Sequence, residues 1–230
     1  MNILAIDSSS VSASVALSQD DEIISEQFIN SGLTHSQTLM PMIEKAISGK
    51  EKDIDLIAVT AGPGSFTGVR IGIASVKGLA DALNKDCFPL STLEVIAEPL
   101  RKEDALVCPL MDARCNQVYT ALFYKGERLL KDDALLIDDL KEILSEERRK
   151  IIFIGDGAKL CYDKLSKDLS NLSIADEDIR LIHASSICRL AYSKMQKGEK
   201  TVKSDKLLPV YLRVPQAERE LKKSNKDKGD

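Results

Sequence analysis

The chain opens on an apolar run, "NILAID", that closes on Asp7, and continues with "SSSVSASVALSQDDEIISEQFI", in which Val11, Ala13, Val15 and Leu17 alternate with polar residues. A period of two marks half-buried strand, so this stretch predicts strand, polar turn, strand, charged hairpin and strand. The period then changes. Leu39, Met42, Ile43, Ala46 and Ile47 recur at helical spacing, and Thr34 stands three residues before Gln37, as in a capping box. A helix is predicted to begin near residue 35, with Pro41 expected to kink it or to delay its start. "DLIAVTAG" reads as a buried strand, and "GVRIGIASVKGLADAL" has the length and small residues of a second helix. Ser91 and Glu94 form another capping-box pair ahead of "TLEVIAEPL", and Pro99 with "RKED" predicts a boundary near residue 102.

Beyond that point the pattern repeats. With Asp112 laid on Asp7, "LVCPLMDARCNQVYTALFYKGER" runs parallel to the opening: apolar strand, terminal Asp, polar turn, alternating strand, hairpin. Almost no residues match, so the repeat is one of pattern. "KIIFIGDGA" follows as a strand with a Gly-Asp-Gly turn, then "AKLCYDKL" and "SSICRLAYSKMQKG" as helices, the latter with Ile187, Leu190, Ala191 and Met195 on one side. The expected architecture is α/β twice over: one unit at 1–102, a second at 103–217, and a charged, disordered tail at 218–230.

The chain has 230 residues, of which 43% are hydrophobic and 30% charged, a composition that suits a globular protein with a sizeable core. A formal net charge of −4 argues against a surface that grips nucleic acid as a whole. Five widely spaced cysteines in mostly apolar surroundings predict buried thiols in a reducing cytoplasm, and no stretch has the length to span a bilayer.

Two hairpin-and-helix halves, each with an Asp where the first strand meets its turn, have the layout of the actin, hexokinase and Hsp70 superfamily. There nucleotide lies between the halves. By that analogy Asp7, Ser8, Ser9 and Asp112 face a cleft and Gly155 and Gly157 lie near an adenosine; as ordinary turn formers, the same residues need no ligand at all. "MDARCNQVY" has no glycine and puts Arg114 and Asn116 where a phosphate would want small residues. "AGPGSFTGVRIG" is not a phosphate cradle of the Walker type, because three residues separate Gly64 from Gly68 and Val69-Arg70 replaces Lys-Ser/Thr. Its glycines continue into the helix, where each costs about 1 kcal/mol against Ala. Gly68, Gly72, Val76 and Ala80 share a stripe that suggests a closely packed helix, of this chain or of another. His35 and His183 lack metal-ligand spacing, no Gly-x-Ser-x-Gly or Cys-x-x-Cys occurs, and His35 reads as a helix-start residue.

"ILAIDSSS", "THSQTLMPMI", "AVTAGPGSFTGVRIGIASVKGLADAL", "PLSTLEVIA", "MDARCNQVYTALF" and "PVYLRVPQAE", in order over residues 1 to about 219, together resemble the TsaB (YeaZ) family. The resemblance implies two tandem actin-like, ribonuclease H-like domains with a degenerate cleft. It also implies a cytoplasmic, non-catalytic subunit in the making of threonylcarbamoyladenosine in tRNA, with no cofactor or metal. Its implied partners are the transferase TsaD, an ATPase, TsaE, and a second copy of itself, with tRNA met only through the complex. TsaD carries an HxxxH pair that this sequence lacks. Carried onto this chain, the partner interface is His35, Leu39, Met42, Gly68, Arg70, Ile71, Gly72, Ser75, Val76 and Leu79. The helical glycines would then give clearance to the helix of TsaD or of a second copy. A kinase or ATPase of the same fold is the alternative, and a metallopeptidase a weaker one.

Overall fold

The computed structural model of the protein describes residues 1–30 and 34–213. The expected charged tail, 218–230, and residues 214–217 of the expected second unit lie outside the described residues. In the first half, β1 (Asn2–Asp7), β2 (Ala13–Gln19) and β3 (Glu22–Ile29) are followed by α1 (His35–Ile47), β4 (Leu56–Gly62), α2 (Phe66–Leu83) and β5 (Asp86–Ser91). The sheet order is β3-β2-β1-β4-β5, antiparallel across β1, β2 and β3 and parallel from β1 through β4 to β5. Central β1 and β4 are covered on both faces, which is why their sequences are apolar runs, whereas β3, at the edge, alternates.

α3 (Thr92–Ala97) leads to β6 (Leu106–Asp112), β7 (Gln117–Tyr124), β8 (Glu127–Leu136), α4 (Ile137–Ser145), β9 (Ile151–Ile154), α5 (Ala158–Leu165), β10 (Leu172–Ile174), α6 (Glu177–Arg180) and α7 (Ala184–Gln196). The second sheet, β8-β7-β6-β9-β10, repeats the order and directions of the first, so the repeat of pattern is a repeat of fold. Asp7 ends β1 as Asp112 ends β6. This is the tandem actin-like, ribonuclease H-like arrangement. Pro109 lies inside β6, and the β6–β7 pairing skips from Val107–Phe123 to Leu110–Thr120 around it, where its missing N–H is not needed.

The helices begin near their expected caps, with one difference of detail. Ser65 Oγ accepts from Gly68 N–H and Ser91 Oγ from Glu94 N–H, but the Thr34 hydroxyl makes no cap bond to α1. α1 starts at His35 and runs through Pro41 without a later start. Its buried face, Leu39, Met42, Ile43, Ala46 and Ile47, packs with α2 over one side of the first sheet. The other side is covered by α7, although α7 comes from the end of the chain. Ala184 N–H donates to Ser14 Oγ and Ser185 N–H to Glu26 Oε1, both at 2.8 Å, so β2 and β3 cap α7's first turn. Ile187 and Ala191 enter a core that contains side chains from both sheets, with Leu190 and Met195 packed at its margin. Val202 pairs with Cys87 of β5, and Leu207 is buried in the core under α1 and α2.

Four cysteines, Cys87, Cys108, Cys161 and Cys188, are buried free thiols, and burial pushes Cys108, Cys161 and Cys188 up to about 12. Cys115 departs from the expected burial. It is exposed in the β6–β7 turn. No helix among the described residues is long and apolar enough to cross a membrane.

Candidate functional site

The β1–β2 turn is held from within. Asp7 Oδ1 accepts from Ser9 N–H at 3.1 Å, from Ser9 O–H at 2.6 Å and from Thr60 O–H at 2.6 Å. The Asp7 side chain is fully buried and its Oδ2 has no partner among the described residues. Burial holds this carboxyl above the usual range against those donors. Ser8 O–H donates to Gly68 C=O at 2.9 Å, and Ser65 N–H donates to Ser9 C=O at 2.7 Å. Ser8 and Ser9 are as buried as Asp7. Asp7 and Ser8 therefore do not face a cleft as the superfamily analogy expected, whereas Ser9, with its hydroxyl turned onto Asp7, does line the cleft wall beside Ser10: the strand-to-helix loop before α2 lies over their turn and uses their polar groups.

That packing also explains the glycines, and it corrects the reading of them as clearance for a foreign helix. A Cβ on Gly64 would stand 2.4 Å from the Ser9 carbonyl oxygen, and one on Gly68 would stand 2.1 Å from that of Ser8. On Gly72 it would meet Ser8 Oγ at 2.6 Å. The neighbour that needs the space is the chain's own β1–β2 turn. Leu39, Met42 and Val76 are likewise buried in the core with Gly68 and Gly72, so five of the ten expected interface positions point inward.

The other five reach the surface. His35 Nε2 lies 2.9 Å from Ser10 C=O and ties the start of α1 to the same turn. Arg70 is exposed, while Ile71, Ser75 and Leu79 are half-buried. They flank an outward stripe of Thr67, Ala74, Gly78 and Ala82, and Gly78 has nothing within 4 Å of its Cβ position. This open side of α2 offers small residues to a neighbour.

Between the halves lies a cleft of about 470 Å3, lined by Ser10, Gly64, Phe66, Asp112, Arg114 and Asp156 among others. Asp112 does reach it. Asp112 Oδ1 accepts from Arg114 N–H at 2.8 Å and Oδ2 pairs with the Arg114 guanidinium at 3.3 Å. Arg114, Cys115 and Asn116 all have positive φ (63°, 55° and 58°), so this turn is left-handed at three consecutive non-glycine residues. Gly155 and Gly157 are pressed against the chain's own β6: a Cβ on Gly155 would stand 2.2 Å from the Leu110 carbonyl oxygen, and one on Gly157 3.0 Å from Asp112 N. Between them sits a residue that sequence reasoning passed over, Asp156, whose Oδ1 accepts from Asp112 N–H at 3.2 Å. Burial first, and the Asp112 charge in addition, push Asp156 up to about 6. Its position between two glycines in the one Gly-Asp-Gly turn was the signal that could have found it.

A strap from Leu207 to Arg213 crosses the mouth of this cleft. Val210 N–H donates to Ala61 C=O at 2.7 Å, and Gly62, with φ at 117°, leaves room for the Val210 carbonyl. Arg70 Nε donates to Tyr211 Oη at 2.8 Å, with the Phe66 and Tyr211 rings 4.8 Å apart, and Arg213 donates to Ala113 C=O in the second half. Among the described residues no group of three or more His, Cys, Asp or Glu side chains is gathered as for a metal.

Comparison with known proteins follows the same lines. The family model described as TsaD, tRNA N6-adenosine threonylcarbamoyltransferase, matches residues 23–221. A Bacillus subtilis (strain 168) protein named tRNA threonylcarbamoyladenosine biosynthesis protein TsaB is 33% identical over 225 residues, which are 95% of this chain and 96% of the relative. The protein of that name from Escherichia coli (strain K12) is 34% identical over 223 residues, 93% and 95% of the two chains. The solved structure of YeaZ from Pseudomonas aeruginosa superimposes with a TM-score of 0.75 at 28% identity, covering 92% of this chain and 99% of that one. With relatives of that identity matched over more than nine-tenths of both chains, the chain belongs to the TsaB (YeaZ) family.

Proposed function

We propose that this chain is a non-catalytic subunit for threonylcarbamoyladenosine modification of tRNA, a cytoplasmic protein that binds and activates a TsaD-like transferase together with a TsaE-like ATPase. The observation that carries the non-catalytic part is the buried β1–β2 turn. In a nucleotide-hydrolysing relative this turn would present N–H groups and a carboxylate to phosphates and metal. Here Ser8 is covered by the Gly64–Gly68 loop, the Ser9 hydroxyl at the cleft wall is spent on Asp7, and Asp7 itself is enclosed behind them. The relatives named as tRNA threonylcarbamoyladenosine biosynthesis proteins supply the pathway.

The partner face in this reading is the outward side of α1 and α2: Met40, Arg70, Ile71, Ala74, Ser75, Gly78 and Leu79. The same face serves a homodimer when the transferase is absent. The units 1–102 and 103–217 are then two actin-like domains, the first of which docks. Reconstitution of tRNA modification with and without this chain tests the function, and modification that proceeds unchanged in its absence refutes it. Gly78→Leu tests the face, because its side chain enters open space where that of Gly72→Leu would collide with Ser8. The variant should keep its circular dichroism and lose co-purification with the transferase; a normal yield of complex would move the interface elsewhere.

A further inference from the structure

The exposed side of α7 faces away from α1 and α2, across the first sheet, and stays open when a partner sits on those helices. With the segment after α3 it borders an open depression of about 720 Å3. Arg101, Lys102, Arg189 and Lys197 line this depression. The side chains of Arg101, Lys102 and Lys197 make no ion pair among the described residues, and Arg189 meets only Glu98, at 3.9 Å. Lys194, close by, is different: Glu94 and Glu199 hold it at 3.0 and 3.1 Å. The carboxylates at the depression are Asp21, exposed in the β2–β3 turn, and Glu98, which is buried beneath it beside Arg189. Arg189, Ser193 and Lys197 follow each other four residues apart on one side of the helix, and Tyr192 and Gln196 fill the adjacent row.

Four cations from two segments, three of them without an ion pair among the described residues, with hydroxyl, amide and aromatic side chains around the same depression, match the contacts that proteins make to phosphate and sugar. A net charge of −4 does not oppose this, since it sums over the whole chain while the cations gather locally. We propose that this face of α7, with Arg101 and Lys102, holds the sugar–phosphate backbone of the tRNA while the transferase occupies the far side of the sheet. The proposal rests on the function proposed above and gives the chain its own RNA contact within the complex.

The test measures tRNA affinity of the full chain, and of its complex with the transferase, by fluorescence anisotropy over a range of salt. Arg101→Glu/Lys197→Glu should weaken binding about tenfold and flatten the dependence on salt by about one to two charges. Lys159→Glu/Lys167→Glu makes the same change in net charge at exposed positions in and just after α5, which packs into a different core from α7, and should cost less than about twofold. The milder Arg101→Gln/Lys197→Gln, which adds no negative charge to the fold, should lie between the two. Equal losses in the two Glu variants, or none in either, overturn the proposal, as does displacement of tRNA by poly-glutamate at matched charge, which would assign the face to an acidic polypeptide. Modification that needs no TsaB-family chain would refute the function instead, and this is read separately from binding.

Discussion

Gly68 and Gly78 lie ten positions apart in one helix and answer to different neighbours. A methyl group on Gly68 has to displace the Ser8 carbonyl, a backbone atom in a turn fixed by Asp7, so Gly68→Ala should cost about 3 kcal/mol or more. Gly78→Ala meets nothing and gains helix propensity, about 0.5–1 kcal/mol, or ~2–4 °C of Tm in a chain of this size. Thermal unfolding of the two variants should move in opposite directions; two losses would mean that Gly78 also has a close neighbour. Asp156 makes the second argument at this scale. Its folded pKa is raised to about 6 from an ordinary 3.8, so ionising it costs stability. The cost is absent below about pH 4, where both states are protonated, grows from pH 4 to 6, and is complete above. Asp156→Asn keeps the acceptor for Asp112 N–H and removes the charge. It should stabilise the protein by about 1–3 kcal/mol at pH 7.5 and by little at pH 3.5 in urea titrations. A gain that does not change with pH would leave the raised carboxyl without support.

At the scale of elements, the hydrophobic pattern carried most of the fold. The periods of two and 3.6 located β1 to β3, α1 and α2, and the second hairpin revealed the repeat, because each of those elements has one face or both in a core. Small-residue spacing was harder to read. The Gly68–Gly72 stripe announces a close approach, but only the three-dimensional path of the chain says that Ser8 makes it, and so Gly68, Gly72 and Val76 of the expected partner face point into the protein while Arg70, Ile71, Ser75 and Leu79 do not. β5 with Pro89 and the three-residue β10 gave weak signals for the same reason: an edge strand needs few apolar residues and tolerates proline. The strap from Leu207 to Arg213 could not be read as one at all, since its contacts are with residues some 140 positions earlier, as in the Arg70–Tyr211 bond. It is held by few bonds over exposed Leu208, Val210 and Tyr211. Tyr211→Ala removes its ring contact and its link to Arg70, and should raise amide exchange at Val210 about tenfold while β1 and β4 keep their protection. Unchanged exchange at Val210 would show that the backbone bond to Ala61 suffices.

For the whole molecule the decisive contact is α7, which the chain's end returns to its beginning. The repeat suggests two units that meet at residue 102; the strands of the first sheet end at Ser91 and those of the second begin at Leu106. The first sheet, however, has one face covered by α1 and α2 and the other by α7, and β2 and β3 supply the acceptors for α7's first N–H groups. Without residues 183–213, the faces of β1 and β2 that carry Ile3, Ala5 and Ala16 are left open to water beneath Ile187, Cys188 and Ala191. Each large apolar side chain so exposed forfeits about 1.5–3 kcal/mol, and a domain has only about 5–15 kcal/mol in total. A fragment of residues 1–102 should therefore fail to fold by itself, despite holding a complete five-stranded sheet. The same fragment joined by a flexible linker to residues 183–213 should give dispersed amide resonances and a cooperative thermal transition. If 1–102 alone unfolds cooperatively, the first half is an independent domain and α7 is an accessory to it. If only the joined fragment does, the first sheet folds only with α7 as its second covering layer, and a partner that docks on α1 and α2 is coupled through that sheet to the basic face of α7.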